Sequence, residues 1–165
     1  MLIVLGGLPG TGKTSVARAV LAHCAAAYVR IDEIEQALKA SKVLAGDVGA
    51  AGYVVGYALA RSNLQLGQTV LVDCVNPVTE TREAWRAVAA TTASALLEVE
   101  IICSDAAEHR RRVEQRTADI AGHVLPTWDS VSRHDYTPWT SPRLVIDTAT
   151  TSASNAASLI LSHRH

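Results

Sequence analysis

The sequence predicts an α/β domain with a parallel sheet covered by helices on both faces. Three observations carry that expectation. Short β-branched runs alternate with longer helical patterns, a glycine-rich loop joins the first run to the first helix, and carboxylates stand at or just past the ends of four of the five runs. The runs at 2–5, 28–31, 69–72, 99–103 and 143–146 are apolar enough to be strands buried on both faces. Helical patterns fill 15–26, 32–40, 48–66, 77–93, 106–116 and 154–162, which implies right-handed crossovers between parallel strands. Gly67-Gln68 predicts a left-handed cap closing the long middle helix, and Asn76-Pro77 predicts an N-cap followed by proline at the first helical position. Segment 117–142 breaks the pattern. It holds Gly122, Pro126, Pro138, Pro142 and two of the three tryptophans, with one short helical candidate at 128–134, and so reads as a lid or substrate-binding insertion.

Composition narrows the class. A chain of 165 residues can bury about 70% of its unfolded surface in one core. It is 48% hydrophobic and 19% charged, which excludes a disordered chain. A net charge of -1 gives no global attraction to nucleic acid or anionic membrane, so anion recognition has to be local. Cys24, Cys74 and Cys103 are far apart and form no C-x-x-C pair, as expected of buried reduced thiols. The first apolar run is four residues long with no basic segment before it, and Asp47 and four glycines break the later apolar stretch 43–60. Both features argue against a signal peptide or membrane span and for a cytoplasmic protein.

The loop is Gly6-Gly7-Leu8-Pro9-Gly10-Thr11-Gly12-Lys13-Thr14-Ser15, and residues 7–14 fill G-x-x-x-x-G-K-[ST] between a strand and a helix. A triphosphate needs several backbone N–H groups pointing inward with no Cβ in the way, and Gly7, Gly10 and Gly12 permit that curl. The helix beginning near Gly12 adds its unpaired N–H groups and the positive end of its dipole. In such a loop Lys13 reaches the β- and γ-phosphates, the Thr14 hydroxyl binds Mg²⁺, and Ser15 supports the α-phosphate side.

Further candidates follow at the strand ends. Asp73 closes the third strand and fits a carboxylate that orients Mg²⁺. Cys74 follows it, where a motor ATPase usually places a glutamate, and no D-x-x-G or N-K-x-D of a regulatory GTPase is found. Asp32 stands at the end of the second strand, where a carboxylate can take the proton of an attacking hydroxyl. The alternative is that it caps the following helix, with Glu35 completing a capping box. Arg30 is either a substrate clamp or half of a surface salt bridge. Arg112 and Arg116, at i and i+4 beside the irregular segment, suit a transferring phosphoryl group if their face is unpaired. They suit a solvated helix if Glu108 and Glu114 neutralise the run. Arg133 is a weaker lid candidate. Arg82, Arg86 and Trp85 lie on one helix near the acceptor side or in ordinary packing. Trp128, Tyr136 and Trp139 either stack on a ligand or form the small core that holds the lid down. His23, His163 and His165 have no ligand spacing.

Taken together, the loop at 7–14, Arg30-Ile31-Asp32, Asp73 and the arginine-rich segment after Asp105 resemble the small P-loop kinases related to chloramphenicol phosphotransferase, zeta-toxin and polynucleotide 5′-kinase, loosely labelled adenylylsulfate kinase-like. The resemblance implies a three-layer P-loop NTPase sandwich with strand order 2-3-1-4-5 and ATP at the loop. It also implies a lid at about 108–142 supplying arginines, Asp32 as base, and adenine near the lid and residues 148–151, Thr148 among them. The implied activity is ATP- and Mg²⁺-dependent transfer to a hydroxyl of a small molecule. A polynucleotide 5′-hydroxyl and a nucleotide-dependent switch are the alternatives. The acceptor motifs of gluconate, shikimate and adenylylsulfate kinases are not complete here, so no acceptor is implied.

Overall fold

The computed structural model describes residues 1–44 and 46–163; His165 lies outside the described residues. Five parallel strands, β1 (Leu2–Gly6), β2 (Ala27–Arg30), β3 (Val70–Asp73), β4 (Leu96–Ile102) and β5 (Leu144–Asp147), form one sheet in the order β2-β3-β1-β4-β5. The described helices are α1 (Lys13–Leu21), α2 (Ile31–Ser41), α3 (Ala51–Gln65), α4 (Thr79–Thr91), α5 (Ala106–Gln115), α6 (Trp128–Ser132) and α7 (Ala153–Ser162). The fold class is the one the sequence predicts, and the strand order is the one the family resemblance implies. Among the described residues, no helix is long and apolar enough to cross a membrane.

Period-two alternation divides each central strand between two cores. Ile3 and Leu5 of β1 meet Val16 and Val20 of α1 and Ile160 of α7, whereas Leu2 and Val4 meet Leu64 of α3 and Trp85 and Val88 of α4. The register then sets the carboxyl ends level: Leu5 and Arg30 both pair with Asp73, Gly6 with Glu100, and Ile102 with Asp147. A loop leaving β1 therefore emerges between the ends of β3 and β4.

Several boundaries differ from the sequence expectation, each because a tertiary contact overrides local propensity. α1 stops at Leu21, not at residue 26, because Ala27 is recruited into the sheet opposite Val70 and the preceding residues are needed for the crossover. α4 begins at Thr79 rather than Pro77, with Val78 extended as its cap. Asn76 is not an N-cap. It is fully buried with a left-handed φ of 52°, its N–H donates to Tyr53 Oη at 2.9 Å, and the Asn76 and Pro77 carbonyls are taken by Arg82. The Gly67 cap forms as expected: φ is 77°, its N–H donates to Leu64 O, and that of Gln68 donates to Asn63 O.

The aromatic residues of the irregular segment pack as a small core. Trp139 Nε1 donates to Tyr136 Oη at 2.9 Å, Tyr136 Oη donates to Glu100 of β4 at 3.3 Å, and the Arg82 guanidinium lies 4.2 Å from the Trp139 ring centroid. Trp85 is fully buried and meets Tyr57 edge to face at 4.4 Å. Trp85→Ala should therefore cost about 3–5 kcal/mol of stability, as truncating a buried tryptophan does. Urea unfolding followed by far-UV circular dichroism checks this, and a loss below about 1 kcal/mol would contradict the packing.

Candidate active site

The phosphate loop is shaped by its glycines and braced by its own carbonyls. Gly7, Gly10 and Gly12 have φ of 148°, 84° and 95°, and a Cβ on Gly10 would come within 2.5 Å of Val113 Cγ2, so glycine there lets α5 lie on the loop. Thr11 Oγ1 and Lys13 Nζ both donate to Leu8 O at 2.9 Å. α1 opens at Lys13, as the loop pattern implies, and Gly12 supplies no side-chain cap, so its first-turn N–H groups keep their capacity for an anion. Lys13 is buried, which pushes its pKa down, while Asp73 and Asp32 oppose that shift. An ammonium that has lost its water gains most from a polyanionic partner.

Asp73 joins the loop to the sheet. Its Oδ2 accepts from Thr14 Oγ1 at 2.7 Å and from Tyr28 Oη at 2.9 Å. Burial and the adjacent Asp73 raise the Tyr28 pKa, so the phenol stays a donor. A hydroxyl and a carboxylate this close are an oxygen donor pair of the kind that would fit Mg²⁺. That ion takes one or two protein oxygens and completes its octahedron with phosphate and water.

A cavity of about 510 Å³ opens above these groups. Pro9, Gly10, Gly12, Lys13, Thr14, Ser15, Asp32, Asp73, Arg112 and Arg116 line it, so most of the residues singled out in the sequence converge on one space. Arg18, Arg111 and Asp119 add charge at its rim, and Val75, Gln115 and Thr117 complete the lining. Asp32 is in the first turn of α2, whose cap position is Arg30 with no side-chain cap bond, so the capping-box alternative does not hold.

Other expectations need correction. Arg30 is neither a clamp nor a surface pair: its buried guanidinium is forked onto Asp119 at 2.8 and 3.0 Å. Arg82 is buried and spends four of its five donors on the carbonyls of Asn76, Pro77, Thr137 and Pro138, so it serves as a backbone brace rather than a substrate clamp. Arg133 is exposed and pairs with Asp129, away from the cavity. Arg112 and Arg116 line the cavity, yet their face is not unpaired. Arg112 meets Glu108 at 2.7 Å, and Arg116, which follows α5 as its extended cap, meets Asp119 at 3.4 Å. The two guanidiniums of Arg111 and Arg112 hold the Glu108 carboxyl down to about 2. Thr148 braces the loop: its Oγ1 donates to Thr11 O at 2.7 Å and accepts from Arg112 at 2.8 Å.

Sequence reasoning missed Tyr28, His109 and Asp119. Tyr28 shares a strand face with Arg30, which is a legible signal. His109 Nε2 donates to Pro9 O at 2.8 Å and packs edge to face on Trp128, and nothing in the arginine run marked it. Asp119 lies in a stretch without periodicity.

Glycine curl, Lys13 folded back onto the loop, a Thr14–Asp73 pair and an arginine-bearing helix laid over the loop define a P-loop nucleotide-binding domain of kinase-like fold. The chain belongs to the AAA domain family, which it matches over residues 2–128. The fold is similar to that of a putative kinase from Chloroflexus aurantiacus (TM-score 0.79, 20% identity, 99% of this chain and 98% of that one). It is also similar to Mycobacterium tuberculosis APS kinase CysC in complex with AMPPNP and APS (TM-score 0.69, 20% identity, 98% and 95%). A third likeness is to Chaetomium thermophilum Kti12 in complex with ADP-AlF3 (TM-score 0.72, 17% identity, 98% of each). An uncharacterized protein of Mycobacterium tuberculosis is 28% identical over 155 residues, covering 81% of this chain but only 31% of that protein's length.

The Arg30–Asp119 pair predicts an acid-sensitive contribution to stability. Hydrogen bonds from Arg30, aided by its charge, hold the Asp119 carboxyl well below the usual carboxylate range. Its folded pKa is thus below the unfolded value of about 3.9, so the stabilisation is present above about pH 4 and is lost as pH falls toward the folded value. The urea midpoint of the native chain should exceed that of Asp119→Asn near neutrality, and the gap should narrow below about pH 4. A gap independent of pH would show that the carboxylate charge is not the source.

Proposed function

We propose that this protein is an ATP- and Mg²⁺-dependent kinase that transfers the γ-phosphoryl group to a hydroxyl of a small-molecule acceptor. One observation carries the reading: Asp32 faces the same cavity as Lys13, Thr14 and Asp73 and is not engaged as a cap. A motor or switch has no need of a carboxylate there, whereas a kinase needs one to accept the acceptor's proton. In this assignment residues 7–15 and Lys13 hold the phosphates, Thr14 and Asp73 hold the metal, and the bound metal neutralises phosphate charge. Asp32 takes the hydroxyl proton as the new O–P bond forms and the bridging O–P bond breaks, leaving ADP. Arg112 and Arg116 stabilise the equatorial oxygens of the transferring group by exchanging their present carboxylate partners for it.

Residues 1–165 act as one kinase domain in this reading, with the lid and substrate segment at about 108–142 and a cytoplasmic location. The narrower grouping with chloramphenicol phosphotransferase and zeta-toxin belongs to the same proposal. A small acceptor is favoured over a polynucleotide because a groove tracking several backbone phosphates needs free cations. Here Arg18, Arg30, Arg86, Arg110, Arg111, Arg112, Arg116, Arg133 and Arg143 each face a carboxylate.

Two substitutions test the assignment. Lys13→Ala should abolish measurable Mg²⁺-ATP binding in calorimetry while the thermal melt is retained, and undiminished affinity would overturn the nucleotide site. Asp32→Asn should keep ATP affinity and lose roughly 10²-fold or more in transfer. Transfer is followed with labelled ATP against a panel of nucleosides, sugars, hydroxylated antibiotics and 5′-hydroxyl oligonucleotides. Rates within about threefold of the native enzyme would remove Asp32 from the chemistry.

A further inference from the structure

Arg30 stands between two carboxylates, hydrogen-bonded to Asp119 and only at the outer limit of ion-pair distance from Asp73. It ends β2 directly opposite Asp73 in the strand register, and its guanidinium is buried. Both terminal nitrogens donate to Asp119, at 2.8 and 3.0 Å. Its Nε is buried with no hydrogen-bond partner and lies 4.0 Å from Asp73 Oδ2. Asp119 belongs to the stretch between α5 and α6 that forms neither helix nor strand, and it also receives Arg18 of α1 at 3.0 Å and Arg116 at 3.4 Å. One carboxylate thus ties β2, α1 and the end of α5 together across the cavity mouth.

We propose that Asp119 is a latch: in its closed position it fastens the lid segment and keeps Arg30 off Asp73, so that lid closure and metal binding at Asp73 are coupled. The proposal rests on the reading of the cavity as a Mg²⁺-nucleotide site. The physical argument concerns what Arg30 does when Asp119 leaves. A buried guanidinium deprived of its partner is strongly destabilising, and the nearest remaining carboxylate is Asp73. A short reorientation of Arg30 brings its charge onto that carboxylate. Oδ2 of Asp73 already accepts from Thr14 and Tyr28, so a third donor carrying a full positive charge withdraws electron density from it and repels a cation. The open lid therefore leaves Asp73 neutralised by Arg30, and the closed lid releases it to the metal. By linkage, a metal bound at Asp73 favours closure to the same degree.

The test uses the full chain and two measurements. Hydrogen exchange of residues 117–123, without nucleotide or metal, reports the latch itself. The Mg²⁺ concentration giving half-maximal binding of a fluorescent ADP analogue reports the coupling. Asp119→Asn should speed exchange of 117–123 by about tenfold or more and raise the Mg²⁺ midpoint by about tenfold, since a buried cation has lost its partner. Adding Arg30→Met to Asp119→Asn should leave exchange fast but return the Mg²⁺ midpoint close to the native value, because the competing cation is gone. The exposed Arg18→Ala, which removes one donor from Asp119 without stranding Arg30, should give a smaller change of the same sign in both, and it serves if Asp119→Asn does not fold. Native exchange rates in Asp119→Asn would overturn the latch. Fast exchange with an unchanged midpoint, or a double variant as weak for Mg²⁺ as Asp119→Asn, would overturn the coupling. If the native chain binds no ADP analogue at any Mg²⁺ concentration, the nucleotide reading falls, and the exchange result alone decides whether Asp119 latches the segment.

Discussion

The carboxylate of Asp73 is the point on which the site's geometry depends. It stands at the end of β3, the strand lying between β1 and β2, so register alone places it beside the loop leaving β1 and the arginine ending β2. Two neutral donors, Thr14 from α1 and Tyr28 from β2, converge on one of its oxygens. That arrangement fixes the carboxylate's rotation and orients the start of α1 relative to the sheet, so the unpaired N–H groups of the helix are aimed as well as available. With those donors on Oδ2, the second oxygen of the carboxylate has acceptor capacity of its own.

Around that fixed point the segment from α5 to Trp139 is anchored at two ends and held between them by ion pairs and a few buried apolar side chains. At the near end, His109 and Val113 seat α5 directly on the loop, the first by a bond to Pro9 O and the second by filling the space a Cβ at Gly10 would take. At the far end, the Trp139–Tyr136–Glu100 chain and the four carbonyl bonds of Arg82 fasten the segment to β4 and α4. Both attachments are buried and hydrogen-bonded. Between them, Asp119 touches the body through ion pairs, and Ile120 is buried beside it. A span held by charge between two fixed ends is where opening costs least.

What could be read from the sequence follows the range of the forces involved. The loop at 7–14 was legible because backbone geometry demands those residue types at that spacing, and Asp73 and Asp32 because strand ends in a parallel sheet converge on one edge. Alternation and helical periodicity gave five strands and their faces. Boundaries shifted by a few residues wherever a distant partner claimed the backbone, as Val70 claimed Ala27 and Arg82 claimed the carbonyls before α4. The arginines were the least legible. Arg30, Arg82, Arg112, Arg116 and Arg133 look alike in a sequence, and their roles are set by partners 36 to 89 residues away or by neighbours three or four positions off. Helical spacing offers the Glu108–Arg112 and Asp129–Arg133 pairs, but no periodicity encodes the long-range ones, which is why Asp119 could not be found at all.

Those pairings bear on how the cavity can treat a ligand. Lys13, Arg18, Arg111, Arg112 and Arg116 outnumber the carboxylates Asp32, Asp73 and Asp119 on its walls, and Glu108 lies behind two of the arginines. The surplus is positive and suits a triphosphate, but almost none of it is idle. Each guanidinium that turns toward a phosphate must release a carboxylate, so the gain is a difference between two ion pairs and is smaller than the approach of a phosphate to a bare cation. Such exchange favours the ligand state that carries the most negative charge on the equatorial oxygens. In the phosphoryl transfer proposed for this site that state is reached partway along the reaction, so such wiring would favour the transfer step over ground-state binding of the nucleotide.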